Sequence, residues 1–235
     1  MPTIDLLSGD AAKGLVSAVQ ARFLAQTGFG ITGSFNAVGM MKDQLLAGAA
    51  CDVVILTESL IRQLGADGHV VTGSEQPLGL VKTGIAVKAG AASPPLANAD
   101  QLRSALESAT AIYFPDPVKA TAGIHFMKVL RELGIDTTLA GRLRPCANGA
   151  AAMQALSQAT DPGAMGCTQI SEIIIATGVR LAASLPKAFE LATIYSAAVS
   201  TRAAHTEAGA ALINLLTSQE AAGLRSAGGF EQVVG

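Results

Sequence analysis

Hydrophobic and polar positions along this chain form alternating blocks with the lengths of strands and helices. Residues 52–56 form a run rich in β-branched residues, of the length of a buried strand, and residues 4–7 and 111–114 are also predicted to be strands. Residues 11–25 and 124–133 instead place apolar side chains every three or four positions, which predicts amphipathic helices. Regular alternation of the two patterns is typical of an α/β architecture with mixed, mostly parallel sheets.

The same patterns predict the remaining elements. Further helices are expected at residues 40–46, 59–64, 100–105, 151–158, 171–176, 208–217 and 219–227. Further strands or extended segments are expected at residues 31–32, 78–81, 84–88, 165–168, 180–183 and 192–200. The segments near 82–89 and 192–200 are interpreted as two crossover strands between two lobes. Lobe 1 is predicted to comprise residues 1–81 and 197–235, and lobe 2 residues 82–196, with a ligand cleft between them.

Composition and charge narrow the class of partner. The chain has 235 residues and a net charge of −2, without a basic run or a ladder of aromatic residues, which argues against nucleic acid as a partner. No uncharged apolar run approaches the roughly 20 residues of a membrane span, so membrane insertion is not expected. A small ligand is the favoured partner.

The N-terminus and the cysteines bear on location. Met1-Pro2-Thr3 leads directly into a predicted strand without the features of a signal peptide. This start predicts a cytoplasmic protein, or a periplasmic protein whose signal peptide has been removed. Three widely spaced cysteines, Cys51, Cys146 and Cys167, fit reduced thiols better than a disulfide framework or a zinc site. No metal and no cofactor are predicted.

Small-residue turns follow several predicted strands and open the next helix. Because the first N–H groups of a helix lack partners within it, such turns favour binding of phosphate, oxyanion or carboxylate groups. The turn at residues 116–123 is the most informative, since it joins a predicted strand to a long helix. The predicted ligand-binding residues in these turns are Ser8, Gly9, Asp10, Ala11, Asn36, Ala37, Thr57, Thr121, Ala122, Gly123, Asn148 and Gly149. Ordinary strand-to-helix turns, capped by Ser, Asn and Thr, are the alternative interpretation.

Side chains near these turns favour a carboxylate-bearing organic ligand. Lys13 and Lys119 are candidates to neutralise carboxylates, and Gln169 is a candidate amide donor beside Asn36 and Asn148. The alternative for the lysines is a solvated surface. Among the histidines, His125 falls in the first turns of the helix after Gly123, where an imidazole could exchange protons near neutral pH. Burial as an ordinary packing residue is its alternative.

Several segments together resemble the periplasmic molybdate-binding proteins, which have the type II periplasmic solute-binding fold. The resemblance rests on residues 4–7, 43–55, 116–123, 164–167, 218–222 and 228–230 in this order along the chain. It implies two α/β lobes, a hinge of two strands and a cleft that closes on an anion. It also implies a transporter permease as a partner if the protein is exported.

The sequence departs from that family where the ligand is bound. Its molybdate binders typically place serines after the first two strands and a tyrosine in the second lobe. The corresponding positions here are Ala11, the stretch Ala37-Val38-Gly39, and Gln169. Each lost hydrogen bond is worth roughly 0.5 to 3 kcal/mol, so we expect molybdate to bind weakly compared with an organic polycarboxylate.

Two functions from different classes remain open at this point. One is a solute-binding protein that captures a small anion, resembling the substrate-binding component of a molybdate transporter. The other is an isomerase of an unsaturated di- or tricarboxylate, because some members of the family resemble aconitate isomerase. That reaction is a 1,3-proton shift and needs a base. His125 and then Lys13 are the candidate catalytic residues.

Overall fold

The computed structural model describes residues 1–233 and divides the chain into two compact units. Unit 1 comprises Met1–Val81 together with the residues from Thr193 onward, and unit 2 comprises Lys82–Ala192. The end of the predicted lobe 1, Val234 and Gly235, lies outside the described residues.

Unit 1 is a mixed sheet covered by helices. Its elements are β1 (Thr3–Gly9), α1 (Lys13–Thr27), β2 (Gly30–Asn36), α2 (Val38–Leu46), β3 (Val53–Thr57), α3 (Glu58–Ala66), the beginning of β4 (Gln76–Lys88), nearly all of β9 (Ala192–Val199), α8 (Thr206–Thr217) and α9 (Ala222–Ala227). Strand β1 pairs in parallel with β2 and β3, and β9 pairs antiparallel with β3. Every residue of β3 is buried, as its β-branched sequence predicts for a central strand.

Unit 2 is a second mixed sheet. Its elements are the remainder of β4, then α4 (Ala99–Ser108), β5 (Ile112–Pro115), α5 (Thr121–Glu132), β6 (Leu143–Cys146), α6 (Gly149–Gln158), β7 (Met165–Gln169), α7 (Ile170–Ile175) and β8 (Val179–Ser184). Strand β5 pairs in parallel with β6 and β7, whereas β4 pairs antiparallel with β7 and β8. The predicted α/β class with mixed sheets is therefore confirmed.

Two apolar clusters pack on opposite faces of the unit 2 sheet. One face, here called the α5 face, buries Ile85, Cys167 and Phe126 among its members. The other, here called the α6 face, buries Ala86 and Met153. Successive side chains of a strand point to opposite faces, so this division assigns each residue of β7 to one helix layer.

Several predicted boundaries are corrected by the structure. The strand predicted at residues 31–32 is β2 (Gly30–Asn36), so Asn36, predicted to lie in a turn, is the last residue of the strand. Helix α5 begins at Thr121 rather than at residue 124, so Thr121, Ala122 and Gly123 form its first turn. The two extended segments at 78–81 and 84–88 form one continuous strand, β4. Strand β6 was not predicted.

Within residues 1–233, no helix combines the length and the apolar character that a membrane crossing requires. The same described residues contain no group of three or more His, Cys, Asp or Glu side chains arranged to hold a metal ion.

Candidate functional site

In unit 1, the carboxyl ends of β1, β2 and β3 bring three of the predicted turns together. The parallel pairing places Gly9 opposite Asn36 and Ser8 opposite Ile55. Ser8, Gly9, Asp10 and Ala11 are all buried, and a short 3-10 turn, Asp10–Ala12, leads into α1. Since carboxyl ends of parallel strands open toward one edge of a sheet, this edge gathers the starts of α1, α2 and α3.

The helices at this edge begin without side-chain caps. The residues that precede α1, α2 and α3 are Ala12, Ala37 and Thr57, and none accepts a capping hydrogen bond from the following turn. Asn36 Oδ1 accepts from the Ala37 N–H at 2.8 Å, and the Thr57 and Ser59 hydroxyls hydrogen bond at 3.1 Å. The first-turn N–H groups of α2 and α3 therefore keep the character of an anion-binding terminus. At α1 the Lys13 N–H donates to the Asp10 carbonyl oxygen, so the helical segment begins at the 3-10 turn, which Gly9 precedes without a side-chain cap.

Tyr195 was missed by the sequence reasoning. It lies on β9 directly opposite Thr57 of β3 and is 2% exposed. A Cβ atom on Gly9 would lie 3.3 Å from Tyr195 Cε1 and 2.7 Å from Val38 Cγ1, so Gly9 is the residue that lets these neighbours approach. The available signal was the position of Tyr195 within a predicted crossover strand.

Lys13 is the first residue of α1, and its side chain is exposed. Its ammonium lies 5.9 Å from the centroid of the Phe35 ring, within the range of a cation–π contact. The desolvated surroundings expected of a lysine base are not found at this position.

In unit 2, the start of α5 is pressed against the end of β5. Asp116 Oδ1 accepts hydrogen bonds from the N–H groups of Val118 at 2.6 Å and Lys119 at 2.8 Å, which fixes the turn. Lys119 is exposed, whereas Ala122 and Gly123 are buried. A Cβ atom on Gly123 would overlap the carbonyl oxygens of Pro115 and Asp116. The residue before α5, Ala120, provides no side-chain cap.

Gln169 lies at the end of β7, on the α5 face of unit 2. It is 2% exposed, and neither its amide nitrogen nor its amide oxygen has a hydrogen-bond partner among the described residues. Thr83, directly opposite on β4, is 1% exposed, and its hydroxyl likewise has no such partner. Thr83 was not among the predicted site residues. Buried polar groups without partners are rare in proteins and require an explanation.

Asn148 and Gly149 have structural contacts at the start of α6. Asn148 Oδ1 accepts from the Ala151 N–H at 2.8 Å and so caps the helix. Gly149 lies against the carboxylate of Glu172, where a Cβ atom would overlap it, and the Thr168 hydroxyl donates a hydrogen bond to that carboxylate. This contact lies on the α6 face, opposite to Gln169.

His125 lies in the second turn of α5 and is half-buried. Its Nε2 is 2.7 Å from the Phe189 carbonyl oxygen. Because a carbonyl oxygen only accepts, this geometry assigns the proton to Nε2. Nδ1 is then the ring nitrogen that could take up a proton.

Burial keeps two of the cysteines in the thiol form. It raises the pKa of Cys51, in unit 1, to about 12, and it raises the pKa of Cys167, in unit 2, well above its ordinary value. The half-buried Cys146 has its pKa raised by the same cause. A nucleophilic cysteine needs a lowered pKa, so these thiols do not have the character of catalytic nucleophiles.

Comparison with known proteins gives relatives that share this architecture. The periplasmic molybdate-binding protein of Azotobacter vinelandii is 17% identical, with a TM-score of 0.82 over 98% of this chain and 100% of that one. The sulfate-binding protein of Mycobacterium tuberculosis is 19% identical, with a TM-score of 0.78 over 99% of this chain and 88% of that one. At these identities the likeness shows the fold, and it confirms the predicted periplasmic-binding-protein fold.

Two further similarities are found at the level of sequence. An aconitate isomerase of a Pseudomonas species is 26% identical over 229 residues, covering 94% of this chain and 84% of that protein. The family model described as bacterial extracellular solute-binding protein matches residues 4–231. Since this match spans nearly the whole chain, the protein belongs to the bacterial extracellular solute-binding proteins.

Proposed function

We propose that this protein binds a small organic carboxylate or related anion as a solute-binding protein. The observation that carries the proposal is the set of helix starts at strand ends that have no side-chain cap. They are the 3-10 turn before α1, the starts of α2 and α3 in unit 1, and the start of α5 in unit 2. N–H groups and the positive end of the helix dipole at such starts favour negatively charged groups. Membership of the solute-binding family supports the same conclusion.

The side chains at these starts favour a carboxylate over molybdate. Ala11, Ala37 and Val38 provide no hydroxyl at the unit 1 edge. The Ser8 hydroxyl there donates to the Gly9 carbonyl oxygen, and the Thr57 and Ser59 hydroxyls hydrogen bond to each other. A tetrahedral dianion would therefore rely mainly on backbone N–H groups at this edge. Thr121 and Gln169 add polar groups in unit 2. For a protein exported to the periplasm, the partner that follows from this function is a transporter permease.

A ligand screen tests the proposal directly. Thermal unfolding is measured with molybdate, tungstate, sulfate and a panel of di- and tricarboxylates, and the hits are titrated by calorimetry. A ligand at 100 times its dissociation constant stabilises the fold by about 2.7 kcal/mol, which is readily detected. We expect a polycarboxylate to give the largest shift. Submicromolar affinity for molybdate would contradict the carboxylate preference, and no shift with any anion would contradict anion binding itself.

An isomerase is the second candidate, and the similarity to an aconitate isomerase is the observation that favours it. A 1,3-proton shift in an unsaturated polycarboxylate moves a proton from one carbon to a carbon two positions away, so one base can remove it and its conjugate acid return it. His125 is the candidate base, and with Nε2 bonded to Phe189 the reacting nitrogen is Nδ1.

The acids of the screen also test this second function. Wild-type protein is incubated with trans-aconitate and related unsaturated acids in deuterated water, and the products are followed by NMR. An isomerase would incorporate deuterium and form a new isomer, and His125→Gln would lower turnover at least about a hundredfold without abolishing ligand-induced stabilisation. His69→Gln, in a turn of unit 1, is the matched control. If no acid of the panel exchanged hydrogen for deuterium, only the binding function would remain.

A further inference from the structure

Three buried polar side chains of unit 2 remain unexplained by the fold. They are Thr83 on β4, Gln169 at the end of β7, and Ser171 two residues later. They are 1%, 2% and 2% exposed, and among the described residues their hydroxyl and amide atoms have no hydrogen-bond partner. Burying such groups without partners costs free energy that apolar residues of similar size would not cost.

The sheet pairing brings two of these side chains together. Thr83 and Gln169 are directly opposite in the antiparallel ladder of β4 and β7, so their side chains emerge on the same face. Ile85 and Cys167 form the next pair on that face and belong to the cluster that packs under α5. The apolar pairs of this face thus give way to a polar pair at the carboxyl end of β7. Helix α5 begins at the same edge of the sheet.

The side-chain amide of Gln169 limits the kinds of ligand group that can complete its hydrogen bonds. A primary amide has a donor end and an acceptor end, and here both ends are buried without a partner. If the positions of the amide nitrogen and oxygen are exchanged, the side chain still needs one acceptor and one donor. An oxyanion or a fully ionised carboxylate provides acceptors only, so it would satisfy the nitrogen and leave the oxygen without a donor.

A neutral hydroxyl is the simplest group that meets this requirement. The carboxylate of Glu172, close in sequence, accepts from Thr168 and lies against Gly149 on the α6 face. It is therefore turned away from Gln169. A hydroxyl both donates and accepts without adding charge.

We propose that the ligand carries a hydroxyl group beside its carboxylates, and that Gln169 and Thr83 bind this hydroxyl. This inference rests on the proposed function and narrows its ligand class from carboxylates to hydroxycarboxylates. Gln169 Oε1 accepts from the ligand hydroxyl, and the Thr83 hydroxyl, which rotates freely, donates to the hydroxyl oxygen or to a neighbouring carboxylate. A carboxylate of the same ligand occupies the uncapped start of α5 in unit 2.

Matched pairs of acids test the proposal by calorimetry. Malate is compared with succinate, and citrate with propane-1,2,3-tricarboxylate, so that each pair differs by one hydroxyl. We expect the hydroxy acid of at least one pair to bind wild-type protein tenfold or more tightly than its deoxy analogue. Equal or weaker binding of the hydroxy acids, with the deoxy acids bound, would overturn the inference and leave the proposed function intact. No binding by any of these acids would overturn the inference, and it would overturn the proposed function as well if no other anion of the screen bound.

Variants assign the preference to these residues. Gln169→Met removes the amide at nearly constant length and should reduce the ratio of affinities within the pair to about one, and Thr83→Val should reduce it at least severalfold. Gln154→Met, at an exposed position of α6, should leave the ratio unchanged. Because Gln169→Met replaces a buried amide without partners, its ligand-free melting temperature should equal or exceed that of the wild type. If the ratio of affinities is unchanged in both Gln169→Met and Thr83→Val, the assignment of the hydroxyl contact to these residues is wrong.

Discussion

At the scale of single residues, the absence of a side chain at Gly123 allows α5 to start against the end of β5. A Cβ atom there would overlap two backbone carbonyl oxygens, those of Pro115 and Asp116. Backbone atoms cannot rotate away as the end of a flexible side chain can. Gly9 allows a similar approach in unit 1, but its nearest neighbours are the side chains of Val38 and Tyr195.

Gly123→Ala should therefore destabilise the protein and displace the start of α5. Overpacking of this kind costs about 1–3 kcal/mol, measured as the free energy of unfolding in urea, and anion affinity should fall with it. Gly223→Ala in α9 is the control, because outside its own stretch of helix no atom lies within 4 Å of the added Cβ. The control should be neutral or stabilising by up to about 1 kcal/mol. Equal stability of the two variants would contradict this account of Gly123.

Prediction from sequence at the residue scale was strongest for residue types with a local role. Asn148 was interpreted as either a ligand donor or a cap, and the cap is present. Tyr195 and Thr83 were missed because their significance depends on which residue lies across the sheet, Thr57 for one and Gln169 for the other. Cross-strand neighbours are separated by long stretches of chain, so local patterns do not specify them.

At the scale of helices and strands, side-chain caps separate two kinds of helix start. Helices α4 and α6 are capped by Asn98 and Asn148, whose side chains accept from N–H groups three residues later at 2.9 and 2.8 Å. The starts at the strand ends described above have no such cap. The Asn-capped starts are locally satisfied, and the others retain donors for an anion.

The two asparagine caps make a matched pair for mutagenesis. Asn148→Ala and Asn98→Ala should each lower the free energy of unfolding by about 1 kcal/mol, the usual value of an N-cap. Asn148→Asp and Asn98→Asp keep the capping oxygen and should preserve stability. If Asn148 also contacts the ligand, as its sequence position predicts, only Asn148→Asp should weaken anion binding in calorimetry. Unchanged affinity would restrict Asn148 to its capping role.

Strand β6 shows why some strands are not predicted from the sequence. Its residues, Leu143-Arg144-Pro145-Cys146, include a proline and are only partly buried, so they lack the apolar run of a central strand. Among the described strands β6 pairs with β5 alone and forms the edge of the unit 2 sheet. Proline is tolerated at sheet edges because no hydrogen bond is needed on the outer side.

At the scale of the whole molecule, each unit has a buried thiol in its core, Cys51 in unit 1 and Cys167 in unit 2. Cys51 Sγ donates to the Val53 carbonyl oxygen at 3.2 Å, an interaction that only the protonated thiol makes. Desolvation raises the pKa of Cys51 from 9.0 to about 12, and it also raises that of Cys167. Ionisation of either thiol therefore opposes folding.

Stability should consequently fall in alkaline solution. Below the ordinary thiol pKa of 9.0, folded and unfolded chains are both protonated and pH has no effect through these groups. Above it the unfolded chain loses protons that the folded chain keeps, so each buried thiol lowers the free energy of unfolding by up to about 1.4 kcal/mol per pH unit. This loss continues until the folded pKa is reached, at about 12 for Cys51.

Urea unfolding between pH 8 and 10.5 measures this slope. Cys51→Ala and Cys167→Ala lower stability at every pH because they leave cavities, but each should make the decline above pH 9.0 shallower. Cys146→Ala, at the half-buried thiol, should alter the slope least. Parallel curves for all three variants and the wild type would show that these thiols do not govern the alkaline decline.

The sequence by itself determined the α/β class, the order of nearly all the helices and strands, and the family resemblance. These properties are encoded locally, because hydrophobic periodicity and turn residues act over one or two turns of chain. The sequence also placed Gln169 and the start of α5 among the candidate ligand-binding groups.

Only the tertiary structure decided which of these groups lack partners. Pairing of β4 with β7 buries Gln169 beside Thr83, and a hydrogen bond joins the His125 ring to the backbone carbonyl of Phe189. Whether a polar atom is satisfied depends on atoms far apart in sequence that folding brings together. Hydrogen-bond satisfaction is therefore a property of the folded chain, and it is the property from which the hydroxycarboxylate ligand was inferred.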